Sequence, residues 1–210
     1  MRGKRRRLGD SFMKTELRNN LDIRMGIKHP STLTFDPNQY TNRESMGMTP
    51  SELQRYWRGF ISHMEAQYPD AYLHRSPSKN NRQIVPPDWF GGAMRIAAGL
   101  NWGKENSIQV DVTLNHASKE ITKAWYEFLM KDERRLRSQL VSNSDEKWRP
   151  DVRLENPESW IVLKRHSYPE ERNWNEQYQW LAEKVDIFHR VIGPLINAMP
   201  DVESHSQAAG

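Results

Sequence analysis

The sequence predicts an α+β fold in which an antiparallel sheet of about four strands, arranged as two hairpins, carries three helices. Three segments place apolar residues at the spacing of a helix face, and two pairs of segments with strand character lie between them. The order along the chain is therefore α-ββ-α-ββ-α. Because consecutive strands in such an order pair side by side, we expect the helices to cover one face of the sheet.

The first helix begins in the stretch MTPSELQRYW. Thr49 is a favourable N-cap, Pro50 suits the first helical position, and Glu52 completes a capping box. Pro69 is expected to end the helix. The apolar face of this helix is predicted to consist of Leu53, Tyr56, Trp57, Phe60, Ile61, Met64 and Tyr68.

Two strands follow, each with the period of two that is typical of a strand with one buried face. The predicted buried residues are Met94, Ile96, Ala98 and Leu100 in one strand, and Ile108, Val110, Val112 and Leu114 in the next. The short polar loop around Gly103 favours a hairpin between them. A second hairpin is predicted from WRPDVRLE and SWIVLKRH, which flank the turn signal Asn156-Pro157.

Two further helices complete the fold. Residues 117–141 are predicted to form one helix, with Ile121, Trp125, Phe128, Leu129, Leu136 and Leu140 inward. Asp132 falls within this apolar face, and we expect the helix to have passed the sheet edge there, leaving Asp132 and Arg135 in water. The last helix starts near Pro169 and carries a heptad rhythm interrupted at Gly193-Pro194: Trp174, Tyr178, Leu181, Val185, Phe188, Ile192, Leu195 and Met199. That rhythm is more typical of a core helix than of a coiled coil, and it leaves a homodimer contact open.

Composition divides the chain and limits its class. We assign residues 1–10 to a basic tail, 11–48 to a weakly structured arm, 49–200 to the α+β domain and 201–210 to a disordered C-terminal tail. Eight tryptophans argue for a folded core, and the absence of cysteine excludes disulfides and thiolate metal sites. There is no apolar run of membrane-spanning length and no secretory signal, so we expect a cytoplasmic protein without a membrane partner.

Four stretches together resemble a known family: LQRYWRGF, IQVDVTLN, ITKAWYEFL and WNEQYQWLAEKVDIFHRVIGPLI. The chain resembles, over roughly residues 50–198, a bacterial and archaeal domain of unknown function that often follows a predicted restriction-like nuclease domain. Here some 48 weakly patterned residues stand at the place of that nuclease domain. The resemblance implies a setting in DNA metabolism or phage defence, and it supplies no catalytic residues.

The carboxylates do not form a nuclease motif. Restriction-like nucleases need an Asp on one strand and an acid-x-Lys on the next, so that carboxylates hold Mg²⁺ beside a lysine. Asp111 suits the first position, but the only downstream match, Asp145-Glu146-Lys147, is predicted to lie in a polar loop. We therefore interpret Asp111 as a strand residue on the solvent face.

The histidines offer a weaker alternative. His-x-Ser occurs at His29, His74 and His116, and two-histidine phosphoesterases use such pairs as acid and base. None of the three lies within a convincing strand, and no histidine spacing is typical of a metal site. We predict no catalytic residue, no cofactor and no metal, and consider the chain more typical of a non-enzyme.

Positive charge is the more informative pattern. The stretch MRGKRRRLGD contributes the whole formal net charge of +4, so residues 11–210 are balanced. On the predicted helix 117–141, four cations would form an outer stripe about 27 Å long, able to follow a phosphate backbone. The predicted nucleic-acid-binding residues are therefore Arg2, Lys4, Arg5, Arg6, Arg7, Lys119, Lys123, Arg134 and Arg137.

The aromatic residues do not predict one stacking platform. Trp89 and Phe90 precede the first predicted strand and Trp102 follows it, so they should lie at opposite ends of the sheet. Trp89, with Lys79 and Arg82 nearby in sequence, would be able to contact a single strand of nucleic acid. A tryptophan that closes the end of the core is the commoner outcome.

Three functional hypotheses remain. The first is a non-catalytic, nucleic-acid-associated accessory module of a bacterial defence or DNA-processing system, drawn to polyanions by its tail. The second is a protein-interaction or regulatory subunit of a restriction-like nuclease system, with residues 11–48 ordering on the partner or on a second copy through Phe12, Leu33, Phe35 and Tyr40. The third is a phosphoesterase that uses His116 with His74 or His29.

Overall fold

The computed structural model describes residues 48–69, 76–102, 105–152 and 158–199. Within these ranges the chain forms four α-helices and five strands, which confirms the α+β class. The helices are α1 (Pro50–Gln67), α2 (Lys119–Met130), α3 (Glu133–Leu140) and α4 (Trp174–Asn197). The strands are β1 (Arg82–Trp89), β2 (Met94–Asn101), β3 (Ser107–Asn115), β4 (Glu146–Val152) and β5 (Glu158–His166).

The start of α1 is the capping box that the sequence predicts. The Thr49 backbone N–H donates to Glu52 Oε2 at 2.7 Å, and the Glu52 N–H donates to Thr49 Oγ1 at 3.3 Å. Two otherwise unpaired donors of the first turn are thereby satisfied. The helix ends at Gln67, just before Pro69, and buries five of the predicted apolar residues: Leu53, Tyr56, Trp57, Phe60 and Met64.

The sheet has the strand order β1-β2-β3-β5-β4, and every neighbouring pair is antiparallel. Both predicted hairpins are present, and β3 pairs with β5 to join them. The prediction of about four strands missed β1. Its Pro86 and Pro87 hide the alternation, and proline is tolerated there because β1 is an edge strand.

The predicted single helix over 117–141 is wrong. Helix α2 ends at Met130, and a separate helix, α3, begins after Lys131 and Asp132. Asp132 leaves the helical conformation at φ −125° and ψ 60°, and its Oδ1 accepts a hydrogen bond from the Arg135 backbone N–H at 3.2 Å. Asp132 is therefore the N-cap of α3, and both Asp132 and Arg135 are exposed to solvent, as predicted. Ser118 caps α2 in the same way through the Ile121 N–H, at 3.3 Å.

Helices and strands share one hydrophobic core on one face of the sheet. This core contains the predicted strand residues Met94, Ile96, Ala98, Leu100, Ile108, Val110, Val112 and Leu114, together with Ile161 and Leu163. Ala97 and Val162 are also buried but lie outside that cluster, on the other face. The alternation in the sequence therefore locates the helix-covered face correctly.

Helix α4 runs through Gly193-Pro194 to Asn197, so the predicted interruption is wrong. Its heptad positions from Trp174 to Ile192 are buried in the core of the same chain. They are therefore not available for a coiled-coil contact with a second copy. Helix α1 packs closely on α4 because Gly59 lacks a side chain: a Cβ there would lie 2.6 Å from the Tyr178 hydroxyl oxygen.

A fully buried ion pair joins α4 to the segment that enters β4. The ammonium of Lys184 lies 2.8 Å from Glu146 Oε1, and both side chains are inaccessible to solvent. Glu146 also accepts hydrogen bonds from Trp180 Nε1 at 2.9 Å and from the Ser142 backbone N–H at 2.8 Å. Because both charges are satisfied, the pair fixes the α3–β4 connection to α4 at the cost of desolvating two ions.

The Glu146 carboxyl is ionised in the folded protein. Desolvation by burial raises its pKa, but hydrogen bonds from Lys184, Trp180 and Ser142 outweigh this and hold the pKa below its ordinary value of 4.5. The stabilisation is thus fully present above about pH 4.5 and is lost as the pH falls through the lower pKa of the folded state.

A half-buried titratable group, His189, lies in α4 with its ring 5.5 Å from that of Trp89. Desolvation lowers the pKa of His189 from 6.5 to about 4, and the charge of Asp186 opposes the shift only in part. The folded protein therefore carries a neutral imidazole in a pH range where the unfolded chain is protonated.

We predict that Lys184→Met lowers the free energy of unfolding by about 3–5 kcal/mol, because it leaves the Glu146 carboxylate buried without its cation. Urea unfolding at pH 7 measures the loss. The matched variant Lys123→Met, at an exposed helical lysine, should change stability by no more than about 0.5 kcal/mol. The double variant Lys184→Met/Glu146→Gln should recover part of the loss, and equal losses for both single lysine variants would contradict the assignment.

We also predict that the free energy of unfolding falls by about 3 kcal/mol between pH 6.5 and pH 4 through His189 alone. Over this range His189 binds a proton in the unfolded chain but stays neutral in the folded chain, so acid favours unfolding. Urea titrations at several pH values should show a flatter dependence for His189→Phe than for the native chain. The same pH dependence in both proteins would refute the role of this residue.

Candidate functional site

The second face of the sheet carries a polar surface that no helix of the described residues covers; we call it the polar face. It is formed by alternate residues of all five strands: Arg82, Ile84, Arg95, Ala97, Gly99, Gln109, Asp111, Thr113, Lys147, Arg149, Trp160, Val162 and Lys164. Asp111 lies on the sheet face opposite the helices, as predicted. Its predicted exposure to solvent is wrong, because Asp111 is 0% exposed.

Asp111 is the centre of a hydrogen-bonded network on this face. Its carboxylate is ion-paired with the guanidinium of Arg82 and accepts a hydrogen bond from Gln109 Nε2 at 3.1 Å. Thr113 Oγ1 donates to Asp111 Oδ1 at 3.2 Å and accepts from Arg82 Nη2 at 2.8 Å. The guanidinium also lies over the ring of Trp160, 4.4 Å from its centroid. These contacts offset the desolvation of the buried carboxylate.

Two small residues on β2 make room for this network. Arg82 lies opposite Gly99 in the β1–β2 register, and Ala97 lies opposite Asp111 in the β2–β3 register. The side chain of Arg82 therefore crosses β2 where that strand carries little bulk. At Gly99 a Cβ would lie 2.9 Å from Gln109 Cγ, so glycine also leaves Gln109 free to reach Asp111.

Within the described ranges, the strand beside Asp111 does not supply the second acid of a nuclease motif. On the adjacent strand, Val162 lies directly opposite Asp111, and Lys164 follows two residues later. The motif Asp145-Glu146-Lys147 spans the start of β4, contrary to the predicted loop, but Glu146 is buried on the helix-covered side. Among the described residues no group of three His, Asp or Glu side chains could hold a metal ion.

A second charged group lies at the corner of the polar face where β4 and β5 meet the β2–β3 connection. Lys147 and Lys164 are direct cross-strand partners, and Arg149 is the next residue of β4 on the same face. Glu105 Oε2 lies 2.8 Å from Lys164 Nζ, and its Oε1 lies 3.3 Å from Arg149 Nη1. We call Glu105, Lys147, Arg149 and Lys164 the Glu105 cluster.

Electrostatics within the cluster hold Glu105 ionised. The hydrogen bond from Lys164 is the largest influence, and together with the charges of Arg149 and Lys147 it lowers the pKa of Glu105 below its ordinary value. Partial burial acts in the opposite direction and is weaker. One carboxylate thus interacts with three cations.

The structure describes four of the nine predicted nucleic-acid-binding residues. Lys119, Lys123, Arg134 and Arg137 are exposed, as predicted, and Lys123 lies 3.7 Å from Glu127. They belong to two helices, so the predicted stripe along one continuous helix is wrong. The five tail residues, Arg2, Lys4, Arg5, Arg6 and Arg7, lie outside the described residues.

His116 belongs to a capping turn. Its Nδ1 accepts a hydrogen bond from the Ser118 backbone N–H at 3.0 Å, and its ring meets the edge of Trp125 at 5.3 Å. These contacts orient the imidazole at the start of α2. His29 and His74 lie outside the described residues, so the proposed histidine pair gains no support.

The aromatic residues fall where the strand lengths require. Trp89 and Trp102 lie at opposite ends of the sheet, as predicted, because Trp89 pairs with Met94 and Trp102 follows the other end of β2. The alternative contact surface of Trp89, Lys79 and Arg82 is not formed, since Trp89 and Arg82 occupy opposite ends of β1. Trp89 packs against the hydrophobic core, which is the outcome expected to be commoner. Arg82 instead contacts Trp160, which the sequence did not single out.

These observations define an α+β domain with an apolar, helix-covered sheet face and a second face organised by charged residues. The model of the family described as Domain of unknown function (DUF4268) matches residues 53–196, and the chain belongs to this family. The matched region contains both the Asp111 network and the Glu105 cluster. No curated protein and no solved structure matches the chain significantly.

We predict that Asp111→Ala lowers the free energy of unfolding by about 3 kcal/mol, because Arg82 then loses its partner in a mostly buried position. Chemical denaturation measures this. Asp111→Asn, which keeps an acceptor for Arg82 and Thr113, should cost less. Glu127→Ala, at an exposed ion pair, should stay within about 0.5 kcal/mol, and an equal cost at both positions would contradict the network.

Proposed function

We propose that the protein is a non-catalytic, nucleic-acid-associated accessory module of a bacterial defence or DNA-processing system. The observation that carries the proposal is the segregation of charge along the chain. Five basic residues and one acid in residues 1–10 account for the net charge of +4, which leaves 26 basic and 26 acidic residues elsewhere. A cationic segment attached to a domain without net charge is typical of proteins that bind polyanions non-specifically.

The exposed helical cations support the same function. Lys119, Lys123, Arg134 and Arg137 project into solvent, where lysine and arginine can exchange counterions for phosphate contacts. Lys123 forms an ion pair with Glu127, but an exposed pair of this kind contributes little to stability, so Lys123 can exchange Glu127 for a phosphate. The tail and these residues together would supply affinity without reading base sequence.

The proposed non-catalytic role is supported by the contacts of Asp111 and His116, the two described side chains that the sequence offered as candidates for catalysis. Asp111 is held by Arg82, Gln109 and Thr113 within the sheet. His116 orients the turn before α2. Both are thus engaged in contacts that support the fold. An association with a nuclease partner, which the family resemblance implies, would give such a module its biological context.

We predict that the full chain binds duplex DNA with an affinity that falls steeply with salt, and that replacing Arg2, Lys4, Arg5, Arg6 and Arg7 by Gln removes up to about 4.5 from the slope of log K against log salt. Fluorescence anisotropy across 50–200 mM salt measures both slopes. A chain that begins at Ser11 should behave as the glutamine variant does. Absent or salt-independent binding in all three proteins would overturn the proposed function.

A further inference from the structure

We propose that Lys147, Arg149 and Lys164 form a binding site for the phosphate groups of a nucleic acid, and that Glu105 occupies this site in the free protein. The inference rests on the proposed function and gives it a location on the folded domain. It concerns residues that belong neither to the basic tail nor to helices α2 and α3. The two carboxylate oxygens of Glu105 bind the donors that two phosphate oxygens would use.

The charge of the cluster is the first argument. Lys147 and Lys164 face each other directly across β4 and β5, and like charges in that position destabilise a sheet. Arg149 adds a third cation on the same face, while Glu105 supplies one negative charge within the cluster. Two positive charges are therefore left to attract an anion. Among the described residues, Lys147 has no salt-bridge partner of its own.

The arrangement of donors is the second argument. Arg149 Nη1 approaches one oxygen of Glu105 at 3.3 Å, and Lys164 Nζ approaches the other at 2.8 Å. Asn101 Nδ2 also donates to that second oxygen, at 3.0 Å. Three donors thus already converge on a planar pair of oxygens with a negative charge. A phosphodiester presents the same charge and a similar oxygen pair, which arginine and lysine bind in proteins.

Accessibility is the third argument. The side chains of Arg149 and Glu105 are 55% and 38% exposed, and β4 is an edge strand of the sheet. A phosphate can therefore approach from solvent. Exposed ion pairs contribute little to stability, so a phosphate can readily replace Glu105 as the partner of Arg149. Lys164 is held more firmly, with 17% of its side chain exposed, and provides a fixed point for the incoming anion.

This assignment has an unusual consequence: removing Glu105 should strengthen binding. We expect Glu105→Gln in the full chain to tighten the Kd for a 20-base-pair DNA duplex by about 3–10-fold, because the site no longer contains a competing anion. Loss of any surface acid increases attraction to DNA slightly. The matched control is therefore Glu171→Gln, which also removes an exposed carboxylate paired with an arginine, here Arg55 at 2.9 Å. The control should change Kd less than twofold.

The cations provide the converse test. Lys147→Gln/Arg149→Gln should weaken duplex binding about tenfold at 100 mM salt and reduce the salt slope by about 2, as expected for two lost phosphate contacts. Lys131→Gln/Arg190→Gln removes one exposed lysine and one exposed arginine outside the cluster and should have a much smaller effect. All variants alter exposed residues, and thermal unfolding checks that they remain folded.

A titration with inorganic pyrophosphate separates this inference from the proposed function. In ¹H–¹⁵N spectra of the native chain, saturable shifts should concentrate at the backbone amides of Asn101, Glu105, Lys147 and Lys164. If these shifts occur but no duplex binds, the phosphate site stands and the nucleic-acid function fails. If the duplex binds but the cluster variants match their controls and pyrophosphate leaves these amides unchanged, the site is overturned and the function stands.

Discussion

The carboxylate of Asp111 lies buried in the centre of a five-stranded sheet, and a charge in that position is tolerated only beside a cation. The cation comes from Arg82 on the edge strand β1, two strands away from β3. For the guanidinium to reach it, the intervening strand β2 must carry small residues, and it does so at Ala97 and Gly99. Trp160 on β5 closes the network from the other side. The ion pair between Asp111 and Arg82 therefore depends on residues of four strands: β1, β2, β3 and β5.

The two faces of the sheet use opposite means of stabilisation. The helix-covered face is a continuous apolar core, and the buried Lys184–Glu146 ion pair connects α4 to the start of β4. The polar face is held by Arg82 and Asp111 at its centre and leaves the Glu105 cluster accessible at one corner. Family membership over residues 53–196 places both faces within the same domain.

Local patterns predicted much of the fold. The capping box at Thr49 and the alternation in β2 and β3 are confirmed, because each depends on residues within a few positions of one another. The errors occurred where one local signal hid another. Residues 117–141 were predicted as one helix, although Asp is a strong N-cap and Asp132 starts a new helix there; the predicted exposure of Asp132 and Arg135 is confirmed. The prolines of β1 concealed an edge strand, which tolerates residues that lack an N–H.

The candidate sites show the limit of sequence reasoning most clearly. The sequence by itself determined the α+β class, the apolar face of each strand and the segregation of positive charge into the first ten residues, since periodicity and composition are local properties. It could not determine that Arg82 pairs with Asp111, 29 residues away, or that Arg149 meets Glu105, 44 residues away. Those contacts depend on strand order and register, which arise only when the sheet assembles. Tertiary structure therefore decided that Asp111 is buried and that Glu105 gathers three cations.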